Sequence, residues 1–178
     1  MLNVVVTRSL VAGAAGLAML ALMPAASFAV GDTPAPPKRC GQHAQGSSAW
    51  KKCMGTKLKD DAEHYSVGYW MAKGGDYASA LDVLRAASNQ ADPRIQTMIG
   101  FSLRKLGRVD EAMGYYRTAL AANPNLTSTR QYLGEAFLQT GRPDQAREQL
   151  SEIARRCGTA CEDYRLLADA IVKAQTAG

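Results

Sequence analysis

Residues 99–124 read IGFSLRKLGRVDEAMGYYRTALAANP, and residues 133–158 read LGEAFLQTGRPDQAREQLSEIARRCG. Laid one over the other, Gly100 falls on Gly134, Gly107 on Gly141 and Ala112 on Ala146, each 34 residues apart. A period of this length encodes a unit of two helices and a turn. A further copy precedes them: Gly68, Gly75 and Ala80 repeat the internal spacings 32 residues before the middle copy, the interval trimmed at Ala91-Asp92-Pro93. A single such unit cannot bury its own apolar face, so consecutive units must stack.

Within each copy the residue types suit closely packed antiparallel helices. Small Gly and Ala let two helices approach, and Leu, Tyr, Phe and Ile recurring at i, i+3, i+4 and i+7 fill the seam. Gly75, Gly107 and Gly141 stand where first helices should end, a place that favours a left-handed backbone. Asp76 and Asp110 lie at or near the next helix start. Beyond the repeats, residues 162–174 place Tyr164, Leu167, Ala168 and Ile171 on one stripe, with Asp163, Arg165, Asp169 and Lys173 largely outside it. That is the pattern of a closing helix, and Thr159 with Glu162 forms a candidate capping box at its start.

These residues resemble the tetratricopeptide repeat (TPR) family. The middle copy carries the pattern best, as Ile99-Gly100, Leu103, Gly107, Ala112, Tyr116, Ala119 and Pro124. The last copy gives Leu133-Gly134, Phe137, Gly141, Ala146, Leu150 and Ile153, with Gly158 in place of the closing Pro. The first gives Val67-Gly68, Met71, Gly75, Ala80, Leu84 and Ala87. The family's opening Trp is absent, its places holding His64, Gln96 and Arg130. The resemblance implies an all-α, right-handed solenoid of helical hairpins. Its three TPR-like repeats would occupy residues 61–92, 93–126 and 127–158, and a capping helix 159–178.

The resemblance also implies a concave face. Its positions fall on Tyr65 and Tyr69 in the first repeat, on Arg94, Thr97, Phe101 and Arg104 in the second, and on Gln131, Glu135 and Leu138 in the third. Aromatic rings beside arginines suit an extended peptide, the rings giving contact area and the arginines holding carboxylates or carbonyls. In a second reading Tyr65, Tyr69 and Phe101 pack under the N-terminal segment or between repeats. Family members that bind chaperone tails use a Lys, Asn and Arg clamp, and Tyr65 and Tyr69 occupy two of its places, which argues against that ligand.

The ends of the chain bear on where it works. Residues 1–7 lack acids, Arg8 is positive, residues 10–23 are apolar, and Ser27-Phe28-Ala29 has the small-x-small form of a cleavage site. Residues 1–29 therefore read as a signal peptide with Val30 as the new N-terminus, the alternative being an uncleaved anchor. In an exported chain four cysteines suggest two disulfides, and spacing suggests Cys40 with Cys53 and Cys157 with Cys161. The expected location is the periplasm, if the source is a bacterium with an outer membrane.

The formal charge of +5 is unevenly placed. Lys38, Arg39, Lys51, Lys52, Lys57 and Lys59 fall in residues 33–59 without an acid, whereas from Asp60 onward 14 basic residues face 15 acidic ones. The repeats thus offer no broad field for nucleic acid. Residues 30–60 read as a basic, Cys-containing linker or, alternatively, as a cationic arm for an anionic envelope surface. Membrane contact is expected only through that segment or an uncleaved signal.

No catalytic chemistry is legible. His43 and His64 lie outside any triad spacing, and Asp60, Asp61 and Glu63 read as the acidic first turn of a helix. No cofactor or metal is expected. The sequence reads as a non-enzymatic adaptor or scaffold for a protein or peptide partner. The alternative is an envelope thiol or copper protein using Cys157 and Cys161, two thiols four residues apart.

Overall fold

A computed structural model of the chain describes residues 33–36, 40, 43, 47–54 and 58–176. The expected signal peptide, its cleavage point before Val30, and Lys38, Arg39 and Lys57 of the basic segment lie outside the described residues.

Every regular element among the described residues is helical. A short α1 (Ser48–Met54) precedes three hairpins: α2 (Asp61–Lys73) with α3 (Tyr77–Arg85), α4 (Pro93–Lys105) with α5 (Val109–Ala122), and α6 (Thr127–Gln139) with α7 (Pro143–Cys157). The last helix is α8 (Glu162–Thr176). Each helix packs on its hairpin partner and then on the next unit, and α2 meets α4, α4 meets α6, and α6 meets α8. The first helices therefore stand side by side, and α8 takes the place that the first helix of a fourth repeat would occupy.

Local chemistry starts and stops these helices. Asp60 accepts the Glu63 N–H at 2.9 Å while the Glu63 carboxylate accepts the Lys59 N–H at 2.8 Å, so the acidic cluster at the start of α2 is a cap. Asp76 caps α3 through Ser79, Asp92 caps α4 through Arg94, and Pro93 and Pro143 open α4 and α7. Asp110 lies inside the first turn of α5 rather than at its cap, a position held by Arg108, and it faces the positive end of the helix. The first helices close on Gly75, Gly107 and Gly141, with φ of +87°, +82° and +69°. The next N–H then reaches back five residues, Arg108 to Leu103 O at 2.9 Å and Arg142 to Phe137 O at 2.8 Å.

Close approaches at the repeat glycines set the packing, Gly68 against Leu84 within the first hairpin among them. A Cβ at Gly100 would meet Tyr116 Cε1 at 2.6 Å, and one at Gly134 would meet Leu167 Cδ2 at 2.6 Å. In the second repeat the contact lies within the hairpin. In the third the nearest atoms belong to α8, so the capping helix docks where the chain is thinnest. The core running between these contacts contains Val67, Leu84, Ile95, Ile99, Leu103, Tyr116, Ile153 and Leu167, all fully buried.

The places of the missing Trp are filled by polar groups that tie helices to the preceding joint. His64 Nδ1 meets Asp60 O at 2.7 Å, Gln96 Nε2 donates to Gln90 O at 2.5 Å, and Arg130 Nη2 donates to Pro124 O at 3.0 Å. Arg156 Nε reaches the same Pro124 carbonyl at 2.8 Å, joining α7 to the turn between repeats. Asp61 accepts from Ser88 N at 2.7 Å and Asn89 N at 2.9 Å, fastening the end of the first hairpin to its start.

Three expectations need correction. The described parts of residues 30–60 are not a solvated linker: Cys40, Trp50 and Met54 are buried in the common core, and Cys40 is bonded to Cys53. Residues 33–36 run along α2, where Trp70 Nε1 donates to Pro34 O and Ser66 Oγ to Ala35 O, each at 3.0 Å. The Thr159–Glu162 capping box does not form at the helix start, because α8 begins at Glu162 and the position before it is the disulfide-bonded Cys161, whose carbonyl accepts the Arg165 N–H at 3.2 Å. Asp163 is not outside the packed face, since its carboxylate accepts the Thr127 hydroxyl at 2.5 Å.

Candidate functional site

The aligned first helices and α8 enclose one groove of about 1300 Å³. Tyr65, Tyr69, Arg94, Thr97, Phe101, Arg104, Gln131 and Glu135 all line it; Leu138 does not. Their placement follows from the repeat, because residues 32 or 34 positions apart occupy equivalent places on parallel helices.

The floor is aromatic. Tyr65 and Tyr69 are 6.1 Å apart between ring centroids, and Phe101 lies 4.8 Å from Tyr132 and 6.2 Å from Tyr77. Phe101 is only 7% exposed and Tyr65 6%. These rings pack between repeats while one edge meets the groove, so the two sequence readings of the aromatics describe opposite sides of the same side chains. The N-terminal strap touches the rim through Thr33 Oγ1, 3.3 Å from the Tyr69 hydroxyl.

The two arginines expected on the open face differ from one another. Arg94 is half-buried, pairs with Asp92 at 2.7 Å and stacks with its Cζ 5.0 Å from the Tyr65 centroid. Burial pushes the Asp92 carboxyl up, but the hydrogen bonds and charge of Arg94 outweigh that and hold it below its ordinary value. Arg104 is 3% exposed and lies beside the paired Phe101 and Tyr132 rings, with Nη2 2.5 Å from Glu135. Glu135 also accepts from Gln131. Thr97 is equally committed, donating to Pro93 O and sharing a 2.7 Å hydrogen bond with Thr129. Arg104 and Thr97 thus build the groove as well as facing it.

Tyr132, Lys73, Lys105, Asp163 and Leu166 also line the groove and were not anticipated. The repeat pattern marks a single stripe on each first helix; Lys105 and Tyr132 are each next in sequence to a residue of that stripe, and Lys73 lies four residues beyond Tyr69. A signal did exist for the lysines, which recur 32 residues apart. Burial raises the Tyr132 hydroxyl far above its ordinary range. Burial also raises Asp163, and the Thr127 hydrogen bond only partly offsets it.

Six cationic side chains line the groove against the carboxylates of Glu135, Glu162 and Asp163, so its wall is net positive although the repeats as a whole are not. Arg155 and Arg156 are engaged by Glu152. At the α7–α8 wall, Cys157 and Cys161 are joined in a disulfide. With each sulfur bonded to the other, this pair presents no thiolate to copper, while a disulfide remains open to attack by an outside thiol. Among the described residues no group of three or more His, Cys, Asp and Glu is arranged to hold a metal.

No helix among the described residues is long and apolar enough to cross a membrane. No curated protein matches the chain. Two sequence profiles described as tetratricopeptide repeat do match it, one over residues 71–127 and the other over residues 103–169. Together they run from within α2 into α8, across the three helical hairpins and onto the cap, and the chain belongs to the tetratricopeptide repeat family.

Proposed function

We propose that this protein is an exported adaptor or scaffold that holds an extended segment of a protein partner in the groove formed by α2, α4, α6 and α8. Tetratricopeptide repeats serve protein–protein interaction in general. The observation that carries the finer reading is the groove itself, where an aromatic floor of Tyr65, Tyr69, Phe101 and Tyr132 lies beside cationic side chains. Rings of this kind supply large contact area at low cost in conformational entropy, and flanking cations fix the register of a bound chain. Export is supported by the signal-like residues 1–29 and by two disulfides, which persist in oxidising compartments. In a bacterium with an outer membrane that compartment is the periplasm.

The test is affinity for a partner captured from the native envelope and then purified. Ser128→Trp fills the groove from the first turn of α6 and should weaken binding at least tenfold, as loss of a central contact does. Arg117→Glu, on the exposed face of α5 away from the groove, should leave affinity unchanged. Equal affinity of all three proteins would move the function away from the groove.

A further inference from the structure

Three cations converge on one ring of the groove floor. Lys73 Nζ and Lys105 Nζ each lie 5.6 Å from the Phe101 centroid, and Arg104 Cζ lies 5.8 Å from it. They arrive from two helices, Lys73 from the last turn of α2 and Arg104 and Lys105 from the last turn of α4. A lysine at a helix C-terminus is favourable wherever it points. The helix end therefore accounts for each lysine alone, not for two lysines and an arginine meeting at one aromatic ring.

The charges there do not balance. Glu135 answers Arg104. Neither Lys73 nor Lys105 forms an ion pair among the described residues. Two exposed ammonium groups are left without a carboxylate. A buried cation is poorly screened by water, so the Arg104 charge extends into the groove, while the two exposed ammonium groups at the rim are free to close on an anion.

We propose that the Lys73–Phe101–Lys105 corner, backed by Arg104, is a subsite for the side-chain carboxylate of an Asp or Glu in the bound peptide. One such carboxylate supplies the missing negative charge, its two oxygens accept from both ammonium groups, and its methylene lies on the Phe101 ring edge. The subsite gives the groove a preference and a register: an extended segment with an acidic residue anchored between the C-terminal ends of α2 and α4, the rest running along the aromatic floor. The inference rests on the groove being the binding site and adds which side chain it selects.

The experiment selects binders from a random peptide library displayed on phage against the full chain with its disulfides formed. A selected peptide is then synthesised with its acidic residue as Glu and as Gln, and both are titrated against three proteins: the unaltered chain, the Lys73→Met/Lys105→Met double variant, and Ser128→Trp. Both lysines are exposed, so the double variant should keep its helicity, checked by circular dichroism. The account expects Asp or Glu at one fixed place among the selected peptides. The unaltered chain should prefer the Glu peptide about tenfold, the size of a charge-assisted contact. That preference should vanish in the double variant while the Gln peptide still binds, and Ser128→Trp should bind neither. Equal affinity for both peptides on the unaltered chain, with binding still lost in Ser128→Trp, would overturn the subsite and leave the groove standing. Absence of any binder sensitive to Ser128→Trp would overturn both.

Discussion

At Gly100 an added methyl group would stand 2.6 Å from Tyr116 Cε1, whereas at Gly114, on the exposed side of α5, it would meet nothing within 4 Å. The same substitution should therefore have opposite signs at the two places. Gly100→Ala should cost about 1–3 kcal/mol through overpacking, and Gly114→Ala should gain about 0.5–1 kcal/mol through helix propensity; thermal melts of both read the difference directly. Asp163 supplies a second residue-level expectation. Its folded-state pKa is raised by burial, so the folded chain binds the proton more tightly than the unfolded one, and stability falls as pH rises from the ordinary carboxylate value of 3.8 through the raised one. Asp163→Asn can keep a hydrogen bond with Thr127 without the buried charge. It should match or exceed the unaltered chain in melting temperature at neutral pH, with the gap narrowing under acid; a gap that widens under acid would contradict the assignment. At this scale the sequence was readable where one side chain answers one constraint, as at the turn glycines. It was unreadable where two faces compete, as at Asp163, whose neighbour Glu162 is exposed at the same helix start.

Between residue and molecule, the hairpins follow from spacing alone, while the end of the array depends on contacts that no period encodes. The repeat assigns Gly134 a close neighbour but does not say that the neighbour is Leu167 of α8. Leu167 is fully buried, and Leu167→Ala should cost about 2–5 kcal/mol by urea unfolding, comparable to a core substitution inside a repeat. A loss within the range of surface changes would mean that the cap is dispensable. The two disulfides act on different elements. On the loop-entropy relation, replacing Cys157 and Cys161 by Ser should cost about 2 kcal/mol and replacing Cys40 and Cys53 about 3 kcal/mol, again read by urea unfolding. The second change should also loosen α1, visible as faster amide exchange at Trp50 and Met54. That α1 belongs to the core at all was hidden by its Gly- and Ser-rich surroundings, because composition averages over a segment in which a few apolar side chains and one disulfide carry the packing.

The whole molecule is a short array whose first helices and cap surround one groove; the period of the sequence was enough to reach the array, and the family resemblance to reach eight of the groove's lining residues. What neither could supply was depth: Arg104 was legible as facing inward but not as buried, since its burial depends on Tyr132 and Glu135 arriving from the next repeat. Arg104→Ala should accordingly lower stability as well as binding, because it leaves Glu135 without its partner, and a binding defect in that variant would not by itself locate the site. Groove occupancy is better read without disturbing the core. The most direct measurement places a photo-crosslinking amino acid at Ser128 or Leu166 in the groove and, separately, at Arg117 or Arg147 away from it, followed by irradiation in the native envelope and mass spectrometry of the adducts. The account predicts adducts from the groove positions to one contiguous segment of a single partner, with none from Arg117 or Arg147; adducts arising only from Arg117 or Arg147 would contradict it.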